Sequence, residues 1–407
     1  ELTINAEFRA YLGATAFSGI AFSMQQLLVS WLLIGVLLLP ADQVGPLQAL
    51  IGVPGIFLML WGGASADRAD ARTLLIRVYA ISPLLPLFLI AVDQVSALSV
   101  MAVALWGLGM SVVTSYSMPA QQAILNRVSG AALQQGVSAS TAVGFLVQMG
   151  GLMLAGQMDR IGLSSVLVVQ AVCLAVGALA IRRISPAPPP ERAGPRESAL
   201  QTIAAGFRAT LENRVIFQIL TINFASSIFN AGAFMTVFPF IIKRVYDGDA
   251  ALLAIMMTVF YAGATASNVL MYKLMPFRQP GRLFLLMQLS RILILLLLWI
   301  EPSWWLLVVA TVAWGVNMGF TTTLARTIVQ ESAAAEFRGR ILSVFTLGMM
   351  GSAPIGAILL GIIIEAFGTL NALLPAMALS FGLFAYGVFA TSVWGYRSPS
   401  GEKSASA

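Results

Sequence analysis

The sequence predicts an all-α polytopic membrane protein, with twelve transmembrane helices in two pseudo-symmetric six-helix halves. Three observations predict it. Only 10% of the 407 residues are charged, 58% are hydrophobic, and the mean hydropathy is +0.87, whereas a soluble domain carries about 25% charge. Apolar runs recur along the whole chain, each long enough for the ~20 helical residues that cross a hydrocarbon core. The segment 118–156, MPAQQAILNRVSGAALQQGVSASTAVGFLVQMGGLMLAG, also resembles 323–361, TLARTIVQESAAAEFRGRILSVFTLGMMGSAPIGAILLG, with Gly151 aligned to Gly356 and Gly156 to Gly361.

Taken in order, the apolar runs predict helices over 10–39, 44–66, 72–92, 96–123, 132–157, 161–182, 215–242, 250–273, 282–300, 303–325, 340–364 and 368–394. The links at 40–43, 93–95 and 301–302 are too short for anything but antiparallel neighbours. With the N-terminus inside, nineteen of the 23 Lys and Arg residues fall on inner links and three on outer links. Basic residues are held on the cytoplasmic side, so both termini are predicted there, in a bacterial-type inner membrane. Arg291 is left in mid-span. Domain boundaries follow: 1–183, a linker 184–213, 214–396, and a tail 397–407 predicted to be disordered. Within the linker, ISPAPPPERAGPRESAL at 184–200 is rich in Pro and charge, which favours an extended chain. After it, Leu200, Ile203, Ala204, Phe207 and Leu211 fall on one helical face, predicting a short amphipathic helix at the membrane surface.

Composition also excludes chemistry. With one cysteine, Cys173, and no histidine, an internal disulfide is impossible and His- or thiolate-based metal sites and Ser-His-Asp triads are ruled out. No cofactor, metal or enzymatic activity is expected. The net charge of +6 is spread over short links, which does not describe a nucleic-acid surface. The first apolar run is too long for a cleavable signal peptide, so none is expected. The seventeen Asp and Glu residues all lie in links or near helix ends. Because a buried carboxylate is the usual intramembrane proton carrier, coupling is expected through end residues such as Asp67, Glu331 or Glu365, or not at all.

Residues 61–73 read WGGASADRADART. Gly63, Asp67, Arg68 and Arg72 match the Gly-x-x-x-Asp-Arg-x-Gly-Arg-Arg link of the major facilitator superfamily, with Asp70 and Ala71 departing from it. The chain resembles that superfamily over nearly its whole length. PAQQAIL at 119–125 and VQESAAAEFRGRILSVF at 329–345 are similar to the branch of enterobactin-type siderophore exporters and macrolide or multidrug efflux proteins. One departure is the centre of the first helix, where FSGIAFSMQQLLVSW carries glutamines in place of the acidic residue common in that branch.

The resemblance implies a monomeric secondary transporter working by alternating access, exporting a small amphiphilic organic solute such as a siderophore or drug, with protons as a candidate coupling ion. The same fold would serve a lipid or lysolipid entering sideways, or an uncoupled facilitator. A non-transporting receptor would call for a large extramembrane domain. The resemblance also implies that helices one, four, seven and ten line a cavity, to which Gln25, Gln26, Ser115, Tyr116, Asn223, Asn230, Phe234 and Asn317 would turn, with Gln148 and Tyr261 from helices five and eight. A cytoplasmic latch is implied too: Gly63, Asp67, Arg68, Asp70 and Arg72 against Glu331, Arg338, Gly339 and Arg340, the Asp67 carboxylate meeting the start of helix eleven. Arg291 is expected either to contact an anion or lipid, or to satisfy itself against a neighbouring helix.

Overall fold

The computed structural model describes residues 6–68, 70–129, 133–186, 199–334 and 336–399; the side chains of 60–68, 133–135, 137, 138 and 199 lie outside the description. Among the described residues the chain is helical with no strand, the form a bilayer imposes because only a helix or a closed barrel satisfies every backbone group internally. Eleven helices are long and apolar enough to cross a membrane. They are α1 (Ala6–Val36), α3 (Ala71–Gln94), α4 (Val100–Ser129), α5 (Ala139–Ile161), α6 (Leu163–Arg182), α7 (Arg214–Val245), α8 (Ala250–Leu274), α9 (Pro280–Trp299), α10 (Trp304–Ser332), α11 (Arg338–Phe367) and α12 (Leu370–Phe389). A twelfth long helix, α2 (Ala41–Arg68), stands between α1 and α3. The linker helix is Ala199–Glu212.

The irregularities have local causes. α3 breaks between Ile81 and Leu84, where Pro83 cannot continue the ladder. It starts where the Asp70 carboxylate accepts from Arg72 N at 3.2 Å and from Thr73 Oγ1 at 3.0 Å, a side-chain N-cap. α7 widens into π-turns over Ala233–Val237 and Ile241–Val245. α11 runs through Pro354 as one helix. Gly162 and Gly368 hold φ of +87° and +91° where α5 turns into α6 and α11 into α12, a left-handed-side conformation that glycine adopts without steric cost.

Two compact units emerge. The first comprises Glu1–Leu39, Leu47–Pro195 and Asp247–Thr258; the second comprises Pro40–Pro46, Arg196–Tyr246 and Val259–Ala407. They depart from a division at the linker in two short segments: the opening turns of α8 belong to the first unit and the opening turn of α2 to the second. The first unit is built on Phe8, Tyr11, Leu75, Tyr79, Ile124 and Ile181. The second is built on Ile216, Ile219, Phe284, Leu324, Ile328 and Phe345. The linker helix lies on α11 through Gly206, where an added methyl group would overlap Arg340 O. Leu200, Phe207 and Leu211, on the face predicted to be apolar, are exposed.

Candidate functional site

The repeat seen in sequence reappears as packing. In the first unit Gly151 of α5 is so close to α1 that a side chain would meet Ile20 O at 2.6 Å. In the second unit Gly356 of α11 lies in the same way against Ile228 O of α7, beside Gly232. One and a half turns on, Gly156 packs against Ala250 and Ala254 at the start of α8, inside the first unit, and Gly361 against Ala41 and Gly45 at the start of α2, inside the second. Small residues let helix backbones approach closely in membranes, and here the four repeat glycines each mark a crossing.

Each of the two outer crossings ends in a carboxylate. Asp159 Oδ2 accepts from Ala250 N at 2.8 Å, capping α8. Glu365 Oε2 accepts from Ala41 N at 3.2 Å, capping α2, and pairs with Arg244 at 3.4 Å. A helix N-terminus leaves N–H groups unbonded and carries a partial positive charge, so an anion is favoured there. Neither carboxylate was singled out as a cap from the sequence. A signal was present: an acid follows the repeat glycine by three residues in one half and by four in the other, and the glycines of the next turn, Gly162 and Gly368, keep the same one-residue shift.

The side chains of the predicted latch residues Gly63, Asp67 and Arg68 are outside the described residues. Asp70 and Arg72 are engaged inside the first unit: Asp70 caps α3 and pairs with Arg127 at 3.9 Å, while Arg72 donates to the carbonyls of Ile184 and Arg182 at the end of α6. Both are thus engaged locally, at the start of α3 and at the ends of α4 and α6. Glu331 accepts from Tyr396 at 3.2 Å and Ser398 at 2.7 Å, within the second unit. Burial pushes the Tyr396 hydroxyl above its ordinary pKa, and the Glu331 charge adds to it. Arg340 lies over the Phe337 ring, and Arg338 and Gly339 are exposed at the first turn of α11.

The predicted cavity residues sort by unit. In the first, Ser23 donates to Gln148 Oε1 at 3.1 Å and Gln148 donates to Gln26 Oε1 at 2.8 Å, joining α1 to α5. Gln25 donates to Gly107 O at 3.2 Å, and Ser115 is buried, donating to Gly55 O at 2.8 Å. Tyr116 is half-buried. In the second unit Trp314 Nε1 donates to Asn230, and Phe234, Phe260, Tyr261 and Trp314 form one aromatic cluster, Phe234 stacked on Phe260 at 3.8 Å. Asn223 donates to Met349 Sδ at 3.0 Å. These amides are satisfied by neighbours on adjoining helices, so they tie helices together as well as offering polar groups.

Arg291 on α9 is 2% exposed, which removes the expected contact with lipid. Its Nε and Nη2 donate to Asn317 Oδ1 at 3.1 and 3.0 Å, Nη2 also to Thr321, and Nη1 to Gln288 at 3.1 Å and to Ser226. Asn317 is oriented by its own donations to Met287 O at 2.7 Å and Ser290 Oγ at 2.8 Å. Sequence reasoning missed Ser226 and Gln288, which lie on different helices and share no spacing.

A family model described as transmembrane secretion effector matches residues 3–398. The chain belongs to that family. It is thus a membrane transporter of major facilitator type and not an enzyme. Enterobactin exporter EntS of Shigella flexneri is 28% identical over 201 residues, covering 49% of this chain and 45% of that protein; the Escherichia coli O1:K1 protein matches at 28%, with 49% and 46% covered. The chain thus spans about half the length of the curated relatives it matches. Among solved structures, the nucleoside transporter NupG superposes with a TM-score of 0.73 at 14% identity, over 96% of this chain and 100% of that one. A bacterial homolog of the human lysosomal transporter Spinster superposes with a TM-score of 0.67 at 15% identity, over 96% and 97%. At such identities these structures establish the fold alone.

Proposed function

We propose that this transporter works by alternating access and exports a small amphiphilic organic solute of siderophore or drug type, with protons as the driving ion. The observation that carries the alternating-access reading is the pair of carboxylate-capped glycine crossings, Asp159 on α8 and Glu365 on α2. A backbone N–H held by one carboxylate at a helix end parts and reforms readily, since such a contact is worth about 0.3–1 kcal/mol at an exposed site, while the flat glycine surfaces seat the same ends closely when they return. The exporter reading draws on the similarity to the enterobactin exporters. Entry of a lipid from the side loses its residue, because Arg291 is buried.

Two measurements test this. In inverted vesicles, a panel of a catecholate siderophore, a macrolide and a lysolipid is assayed with a pH gradient imposed and then collapsed; gradient-dependent flux of one of the first two is expected, and none for any compound would overturn the reading. Spin labels at Gln43 and Ala366, both exposed in the second unit, report whether the cap opens. Glu365→Gln is expected to broaden the distance distribution to longer values. An unchanged distribution with unchanged flux would remove the caps from the cycle.

A further inference from the structure

The guanidinium of Arg291 has neutral partners on every side. Its donors reach Asn317, Thr321, Gln288 and Ser226, and no carboxylate among the described residues lies within ion-pair distance of it. A charge out of water is costly unless it is compensated, and a positive group in mid-bundle with no counter-charge leaves that cost standing. The site has a second surplus of the same sign. Gln288 is fully buried, its Oε1 accepts from both Ser226 and Arg291, and its Nε2 has no acceptor among the described residues. A buried donor without a partner costs about 1–3 kcal/mol. A unit positive charge and an unmatched N–H, side by side between α7, α9 and α10, both call for an acceptor that bears negative charge.

We propose that Arg291 and Gln288 Nε2 form an anion-binding centre, which takes one singly charged group, such as a carboxylate, of an organic cargo. The resting partners suit this role. Ser226 and Thr321 accept from the guanidinium while donating to Gln288 Oε1 and Asn317 O, and those two hydroxyl protons can swing to an arriving anion. Asn317 stays fixed by the two donations of its Nδ2, and its Oδ1 keeps the guanidinium in place. Trp314 stands one turn before Asn317 on α10 and belongs to the aromatic cluster with Phe234, Phe260 and Tyr261, so the anionic centre adjoins the aromatic surface of the same unit. The cargo part of this inference rests on the transport reading above; anion binding itself does not.

The test uses the full-length protein in lipid nanodiscs and reads melting temperature, without transport. Sodium benzoate, sodium chloride and the neutral isostere benzamide are titrated at constant ionic strength. A ligand that binds the folded state alone raises stability by RT ln(1 + [L]/Kd). Benzoate is expected to give a saturable rise and benzamide none. Arg291→Gln and Gln288→Leu are each expected to weaken benzoate at least tenfold, while Arg291→Lys keeps the charge and part of the effect. Equal shifts from benzoate and benzamide, no benzoate shift, or an undiminished shift in Arg291→Gln would overturn the proposal. A chloride shift as large as that of benzoate would overturn its cargo part, leaving an inorganic ion. The wild-type comparison of benzoate with benzamide stands even if a variant fails to fold. Loss of all flux with benzoate binding retained would break the transport reading instead.

Discussion

The polar interiors of the two units differ where their scaffolds agree. In the first unit, Ser23, Gln148 and Gln26 form a neutral chain between α1 and α5. In the second, Arg291 brings a full charge into a ring of Ser226, Gln288, Asn317 and Thr321 between α7, α9 and α10. At the position 205 residues before Arg291 the first unit has Pro86, in a helix already broken at Pro83. The glycine crossings, the carboxylate caps and the positive-φ turns at Gly162 and Gly368 recur in both. Repetition has therefore been kept where helices cross and turn, and has been lost in the polar interiors of the two units.

The largest effect is expected from cutting the two polar networks. Asn317→Ala removes the one oxygen that accepts two hydrogen bonds from a buried guanidinium and should cost about 3–5 kcal/mol, since a buried charge stripped of its partner is strongly destabilising. Gln148→Ala breaks a neutral amide contact and should cost about 1–3 kcal/mol. Thermal melting of the two purified variants compares them, and equal losses would erase the distinction drawn between the units. A middle-sized effect tests what is shared. Gly151→Ala and Gly356→Ala push a methyl group onto a neighbouring backbone and should each cost about 1–3 kcal/mol, as overpacking does. Gly150→Ala and Gly351→Ala point into open space and should lie near zero or gain up to ~1 kcal/mol from helix propensity. The smallest effect belongs to the caps: Asp159→Asn and Glu365→Gln should each lose about 0.3–1 kcal/mol, less in high salt, and alike within error if the two crossings are equivalent.

The spans were legible because a bilayer leaves one solution for a long apolar run. The helix predicted over 10–39 forms as Ala6–Val36 and that over 303–325 as Trp304–Ser332; polar residues carry the first helix back to Ala6 and the second on to Ser332, whereas the first stops before the apolar residues 37–39, where Leu38 takes a φ of +52°. The break in α3 could have been taken from Pro83 and Pro86 and was not, since the run is apolar throughout. Arg291 stood out as the one mid-span cation, but its partners come from three helices and no spacing announces them. The caps were hidden for a similar reason: Asp159 meets a backbone N–H some 90 residues on, and Ala41 meets a carboxylate more than 300 residues on. The charged link after α2 drew attention by its composition, yet its two best described members, Asp70 and Arg72, serve the start of α3 and the end of α6.

The linker helix adds a consequence for anyone who would cut or tag this chain. Because Gly206 is pressed against Arg340 O and Thr210 is buried, Ala199–Glu212 is a part of the second unit. An inserted affinity tag or protease site belongs before this helix and not inside it, where it would pull a docked helix off its seat. The exposed Leu200, Phe207 and Leu211 leave that docked helix with apolar side chains uncovered beside its seat on α11, so a tag placed there would also meet a sticky surface.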